Sequence, residues 1–558
     1  MALPRLFVLF VLLLAGCSQP HPTAIGKLPR AAIASAHPLA TEAGMQTLAA
    51  GGNAFDAAIS VAAVLAVVEP YSAGMGGGGF WLLRDAEGKS IFVDAREKAP
   101  FAASRDMYLD KKGEIRPNAS VNGPLAAAIP GQAAAFAHIA EHYGRLPLEQ
   151  TLAAAIRYAE EGFATDAHYQ TLAQFRLSAL QADKTSAAIF LDANQAPAPG
   201  FQVKQPALAQ TLRLLAEQGH KGFYTGDVAR NLIADVRAAG GIWQTADLNS
   251  YNVVEREPLV GEYQGYRITT APPPSSGGIA ILAMFNMLAQ FDWMALPRAE
   301  QVHLLSEIMR RAYRDRAEFL GDPDYVPVPV ERLTDKSYNQ AQAAGISMDK
   351  ATSSREMGKP LAMQEGFHTT HFSILDKDGN AVSATLSINL PFGSAFTSAS
   401  TGVLLNNEMD DFSAKPGVPN AYGLVGNEAN AIAPGKRPLS SMSPSFIENE
   451  NSLAIIGTPG GSRIISMVWL GMLEYLQGKP VQDWVARPRF HHQYLPDMIQ
   501  HEPDAFSAAE MDNLMAKGHV LSDVGRRYGN MQAILVNKRN QQIQAASDPR
   551  GGGSARVQ

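Results

Sequence analysis

Residues 366–373 read GFHTTHFS, two threonines side by side between His368 and His371. A threonine hydroxyl is a poor nucleophile until a base takes its proton. One solution uses the residue's own α-amine, which requires the threonine to be N-terminal. Thr369 and Thr370 lie in mid-chain, so that chemistry requires the peptide bond before one of them to be cut. Read locally, the stretch is also an ordinary strand entry. HFSIL-DKDGN-AVSATLSIN has the pattern strand, turn, strand, with Asp378-Gly379 supplying the turn.

The other constellations are weaker. DKDGN at 376–380 has the opening of a calcium loop, but the sixth position is Ala381 and the twelfth Ser387, where Gly and Glu are needed. His138-x-x-x-His142 and Glu300-x-x-His303 have helical ligand spacing, but each is a pair alone, short of the three or four ligands a metal site needs. His491 and His492 are adjacent and point to different faces of a strand, so no metal or cofactor is expected. The glycine run in YSAGMGGGGF follows a helix and precedes a strand, the reverse of the dinucleotide-binding order. It reads as close backbone approach or a tight turn. No Gly-x-Ser-x-Gly elbow is present to support an α/β-hydrolase.

The elements that must carry these residues are mixed. TEAGMQTLAAGG has helical spacing and stops at Gly51 and Gly52. Asn53 is placed to cap AFDAAISVAAVLAVVEP, apolar nearly all round and ended by Pro70, which reads as a core helix. FWLLRD-AEGK-SIFVDARE reads as a hairpin. Residues 145–250 are mainly helical, APPPSSGG at 271–278 breaks the pattern, and two further helices come after it. Residues 322–366 are polar without strong periodicity and are expected to be a mobile segment. Strand-like runs such as SLAIIG cluster after 369, with one more helix at IISMVWLGMLEYLQG. The fold class is α+β, with sheet layers covered by helices.

Bulk properties narrow the function class. A prior of roughly 150 residues per domain gives about three or four folding units, with one large domain also open. The 558 residues carry 47 basic and 53 acidic side chains and no long basic run, which argues against a nucleic-acid surface. At the N-terminus, Arg5 and the apolar run Leu6–Leu14 have the layout of a secretory signal, too short to span a bilayer comfortably. The only cysteine, Cys17, follows LAG and resembles a bacterial lipobox, whose cysteine becomes the lipidated first residue. The expectation is a signal peptide with lipobox over 1–16 and a Pro-containing tether over 17–30. With Cys17 used in this way no disulfide is available, and the fold rests on packing.

HTTHFSILDKDGNAVSATLSIN followed by GVLLNNEMDDFS closely resembles the γ-glutamyltranspeptidases. So do GGNAFDAA, GGGGF, VDAREKAP, PPPSSGG, KRPLSSMSP, TPGGSRI and PRFHHQYLPD, in order over roughly 50–500. The resemblance implies an N-terminal-nucleophile hydrolase with a four-layer αββα sandwich. It implies self-cleavage between His368 and Thr369 into a large subunit, 31–368, and a small catalytic subunit, 369–558, that stay together.

The same resemblance assigns roles. Thr369 is both the agent of self-cleavage and the catalytic nucleophile, with its freed amine as general base; Thr370 is a tolerated neighbour. Ser387 stands where a hydroxyl bonds to the nucleophile. Arg96 matches the arginine that binds the α-carboxylate of the γ-glutamyl head, helped by Ser440 and Ser441. Asn389, Glu408 and Asp411 match the residues around its α-ammonium. Gly460 and Gly461 match the oxyanion-hole pair. Residues 416–427 resemble a lid loop, with Tyr422 at the matching position.

The activity implied by the resemblance takes glutathione and other γ-glutamyl compounds as donors, and water, amino acids or peptides as acceptors. Such an enzyme needs no cofactor, binds no nucleic acid, and meets the membrane through its lipid anchor alone. The lipobox, with Ser18 after the cysteine, implies a periplasmic location at the outer membrane of a Gram-negative cell. Two alternatives stay open: a cephalosporin (glutaryl) acylase of the same fold, and a catalytically idle binding lipoprotein.

Overall fold

The computed structural model describes residues 24–357 and 369–558. The leader, the lipobox with Cys17, and His368 lie outside the described residues.

Two antiparallel sheets stack face to face. The first has seven strands in the order Ser554–Val557, Ala32–Ser35, Thr370–Leu375, Ala381–Ser387, Gly78–Arg84, Ser90–Ala95 and Val254–Arg256. The second has six, Ile543–Ser547, Gln532–Asn537, Ser452–Gly457, Ser445–Glu448, Tyr266–Thr270 and Leu259–Tyr263. Residues two apart on a strand share a face. Thus Trp81, Leu83, Phe372 and Ile374 join the core under one set of helices, and Phe80 and Leu82 join the core between the sheets. The helices Pro38–Ala49, Ala54–Val68 and Gln132–His142 cover the first sheet. Gly277–Leu288, Arg298–Phe319 and Ile464–Leu476 cover the second. The result is a helix–sheet–sheet–helix sandwich.

The seam between the sheets is partly polar, which explains the hydroxyl-rich alternation of the central strands. The Ser373 hydroxyl donates to the Gln532 carbonyl at 3.1 Å and the Ser383 hydroxyl to the Ile456 carbonyl at 3.2 Å. His371 bonds the Thr385 hydroxyl at 2.8 Å, and burial pushes its imidazole down to about 3, so the ring is neutral. A Cβ on Gly457 would come within 2.2 Å of that ring, so only glycine fits opposite it.

All fifteen residues of Ala54–Val68 are buried. Asn53 caps it as expected, accepting from the N–H groups of Phe55 and Asp56 at 3.0 Å each, a cap whose loss typically costs about 1 kcal/mol. The Asp376 carboxylate, in the turn before Ala381–Ser387, accepts from Ala54 N–H at 2.9 Å and ties the central hairpin to this helix.

Two expectations need correction. The tether of 17–30 does not stay free to its end: Ile25 and Leu28 are buried, and Leu28 N–H donates to the Lys377 carbonyl at 2.7 Å. Two apolar side chains spaced three apart are enough to dock this polar stretch. The segment after 322, expected to be mobile, folds up to 357 into short helices at Val330–Thr334, Lys336–Ala344 and Ser354–Met357. Their order comes from tertiary partners, such as Asn339 Nδ2 on the Leu333 carbonyl and Leu333 in a small apolar cluster with Ile279 and Leu439.

Candidate active site

Thr369 immediately precedes the strand Thr370–Leu375, which lies inside the first sheet between Ala32–Ser35 and Ala381–Ser387. Strands on both sides therefore fix its backbone. Ser387 ends the neighbouring strand beside it. The Thr369 hydroxyl donates to Ser387 Oγ at 3.5 Å, and Ser387 Oγ also accepts from Asn389 N–H at 2.8 Å. Both residues are buried and line a narrow cavity with Arg96, Asn389, Asp411, Tyr422, Ser440, Ser441 and Gly461. Glu408 contacts Arg96 behind that wall, and Gly460 lines an adjoining cavity. All the non-leader residues singled out in the sequence thus gather around one threonine.

Arg96 follows the Ser90–Ala95 strand and is 1% exposed. Its guanidinium reaches Glu408 at 2.7 Å, Asp411 at 2.5 Å and Glu97 at 3.4 Å, and its Nε donates to the Pro438 carbonyl at 3.2 Å. Burial alone would lower its pKa, but Glu408, Asp411 and Glu97 outweigh that and hold the cation above its ordinary value. The acids respond in the opposite sense. Burial pushes Glu97 up to about 7 against the pull of Arg96, and lifts Glu408 well above the usual carboxylate range. The cluster therefore holds one cation among three carboxyl groups. Two further acceptors nearby, Asn389 Oδ1 and Glu408 Oε1, are buried with no hydrogen bond among the described residues.

The wall opposite comes from two turns. Pro459-Gly460-Gly461 joins the strand Ser452–Gly457 to the helix Ile464–Leu476, with φ of 141° at Gly460 and 56° at Gly461. A Cβ on Gly461 would fall 2.3 Å from the Tyr422 ring, so glycine is required there for both conformation and space. Among the described residues, no acceptor is paired with the N–H of either glycine. Tyr422 lies in the loop expected to be a lid; its hydroxyl donates to the Asn389 carbonyl at 2.8 Å. The loop is held by Asp410, whose carboxylate accepts from Ala421 N–H at 2.9 Å and from the Ser120 hydroxyl at 2.7 Å.

Sequence reasoning missed the helix Arg298–Phe319 as a site element. Tyr313 and Arg316 are three residues apart and so share a face. The Tyr313 hydroxyl donates to the Ser462 carbonyl, bracing the two-glycine turn. Arg316 donates through Nε to Ser276 Oγ at 2.9 Å and through Nη2 to Ser441 Oγ at 3.2 Å. Ser276 Oγ in turn donates to the Ser440 carbonyl at 2.7 Å. This gives the PPPSSGG break its use: it backs the serine pair. Arg316 lines the cavity, and burial pushes it down to about 10. In the sequence it sits in RRAYRDRAEF, where it reads as one more solvated helix charge.

Such a site suits acyl transfer. It offers a hydroxyl nucleophile, backbone donors from a two-glycine turn, and a recess that balances one cation against carboxylates.

The sequence profile of the γ-glutamyltranspeptidase family matches residues 40–557. A glutathione hydrolase proenzyme of Pseudomonas sp. strain A14 is 43% identical over 480 residues, covering 85% of this chain and 84% of the relative. One from Escherichia coli K12 is 41% identical, covering 93% and 90%. Among solved structures, the cephalosporin acylase from Bacillus halodurans superposes with a TM-score of 0.84 at 27% identity, covering 98% of this chain and 99% of that one.

Proposed function

The chain belongs to the γ-glutamyltranspeptidase family, and on that premise we propose that it is a γ-glutamyltransferase and glutathione hydrolase that matures by self-cleavage between His368 and Thr369. The observation that carries this reading is Thr369 opening into the same cavity as the Arg96 cluster.

In this reading, cleavage frees the Thr369 amine, which takes the proton of its own hydroxyl. Oγ attacks the γ-carbonyl of the donor, and the oxyanion is met by the N–H groups of Gly460 and Gly461. Collapse breaks the amide, the proton passes to the leaving amine, and Cys-Gly departs when glutathione is the donor. Water or an acceptor amine then takes the γ-glutamyl group and returns the proton to Oγ. The two chains remain a heterodimer, with 31–368 as the large and 369–558 as the small subunit.

The donor head is a zwitterion. Its carboxylate suits Arg96, Ser440 and Ser441; its ammonium suits Asp411, Glu408 and the open Asn389 Oδ1. This distinguishes the reading from a glutaryl acylase. A glutaryl group brings the carboxylate for Arg96 but no ammonium, so the excess of carboxyl groups around Asp411 and Glu408 and the open Asn389 Oδ1 are left without the cation they would face. Turnover of γ-glutamyl-p-nitroanilide is expected to exceed that of a glutaryl-cephalosporin at least about 100-fold, as uncompensated charge in a buried pocket implies. Preference for the glutaryl substrate overturns the assignment. N-terminal sequencing of the smaller chain is expected to return TTHFSIL.

We also propose lipid anchoring through Cys17 at the periplasmic face of the outer membrane, supported by the apolar run and the lone cysteine after LAG. Cys17→Ser is expected to move the protein from the membrane to the soluble fraction on cell fractionation; retention in the membrane fraction rejects the anchor.

A further inference from the structure

Two guanidinium groups wall the donor cavity, Arg96 and Arg316, and they are engaged very differently. A guanidinium has five N–H donors. Those of Arg96 reach five acceptors: the Pro438 and Leu439 carbonyls, Glu97, Glu408 and Asp411. A carboxylate arriving there must displace or share one of them.

Arg316, on the Arg298–Phe319 helix, is 5% exposed. Among the described residues its hydrogen bonds go to two hydroxyls, Ser276 Oγ and Ser441 Oγ, and to no carboxylate. Burial lowers its pKa to about 10 against the pull of Tyr313 and Asp411, so it stays a cation at neutral pH. A buried cation without an acid partner is costly unless an anion visits it.

The serines beside it are polarised in the same sense. Ser441 Oγ accepts from Arg316, and Ser440 Oγ accepts from Met442 N–H at 3.1 Å. Neither hydroxyl donates to an acceptor among the described residues. A hydroxyl carries one proton and two lone pairs. With a lone pair of each oxygen held from behind, both protons are left for the cavity that the two residues line. Ser276 completes the brace, accepting from Arg316 Nε and giving its own proton to the Ser440 carbonyl. This wall presents two O–H donors backed by a positive charge, the complement of a carboxylate.

We propose that Arg316 is a positioning residue for donor recognition. It turns the Ser441 hydroxyl proton into the cavity and supplies a second positive charge for the donor's α-carboxylate, beside the heavily engaged Arg96. The proposal rests on the γ-glutamyltransferase reading and deepens it. Its consequence is selectivity: a head with an α-carboxylate gains from Arg316, and a head without one leaves a buried cation unanswered.

The test uses the mature two-chain protein with γ-glutamyl-p-nitroanilide as donor. L-glutamate and 4-aminobutyrate, which differ only in the α-carboxylate, serve as competing ligands. Arg316→Met is expected to raise the donor KM and the L-glutamate inhibition constant about 10²-fold, as loss of a charge-assisted contact implies. The inhibition constant of 4-aminobutyrate should not rise, there being no α-carboxylate contact to lose. Equal rises for both ligands mean that Arg316 only supports the wall, and reject the proposal. A donor KM within about twofold of the unsubstituted protein, too small a change for a lost contact, rejects it as well. Ser441→Ala gives a second readout. Alone it should raise the donor KM about tenfold, but less than about threefold on top of Arg316→Met, because a hydroxyl no longer aimed has little left to lose. Full additivity rejects the aiming. If Arg316→Met stays uncut, Arg316→Lys decides. Its single ammonium lacks the fork that holds both hydroxyls, so the L-glutamate constant should still rise about tenfold and that of 4-aminobutyrate should not; an unchanged L-glutamate constant rejects the proposal. A protein that releases no p-nitroaniline before any substitution overturns the functional reading instead.

Discussion

Thr369→Ala is expected to give one uncut chain on a denaturing gel, with donor turnover lowered on the order of 10⁶-fold, as for removal of a hydroxyl nucleophile elsewhere. The reason is double use of one oxygen. The proposed maturation and the proposed acyl transfer both begin with attack by Thr369 Oγ, and the alanine has nothing to activate. Loss of fold does not explain such a result, because the backbone at 370–375 is held by ladders to Ala32–Ser35 and Ala381–Ser387. The hydroxyl contributes only a long bond to Ser387. Thr369→Ser keeps the oxygen and is expected to mature, more slowly, because the lost methyl leaves the side chain freer to rotate. Appearance of two chains in the alanine variant would show that another residue cuts the chain.

The second large effect belongs to Arg96. Arg96→Met removes the cation from a buried group that keeps Glu97, Glu408 and Asp411. Breaking a buried ion pair by removing one partner typically costs about 3–5 kcal/mol. Losing the charged donors to a substrate carboxylate costs roughly 1.5–3 kcal/mol each. The expected outcome is a Tm lowered by several degrees together with a donor KM raised on the order of 10²–10⁴-fold, consistent with those costs. Arg96→Lys separates the two effects. It restores a charge among the acids but not the planar fork, so Tm should largely return while KM stays high. A methionine variant with an unaltered donor KM means that Arg96 serves the cluster alone and the head is bound elsewhere.

The sequence announced some of this well. The short apolar run in FWLLRD, the Asp-Gly turn and the Asn53 cap are local signals with local causes, and the corresponding elements lie where the pattern puts them. Thr369 was legible only through motif resemblance, because a threonine before a strand looks the same whether or not it reacts. Arg316 was invisible because helix charges usually face water; its burial follows from how Arg298–Phe319 crosses behind the serine pair. The four-residue strands Ala32–Ser35 and Ser554–Val557 also escaped notice. Ala-Ile-Ala-Ser has no strand signature of its own, and its pairing partner lies at the other end of the chain.

That last pairing bears on life after the proposed cut. Along the first sheet the strands come from residues 554–557, then 32–35, then 370–387, then 78–95 and 254–256. In this sheet the two products interlock: Ala32–Ser35 of the large one has the small one on both flanks, and the 370–387 hairpin of the small one has the large one on both flanks. They share no flat face that can part and meet again. Separation is then the same event as global unfolding, independent of dilution. Mixed populations of two variants should keep their original pairings indefinitely, and a half made alone should have no native shape to wait in.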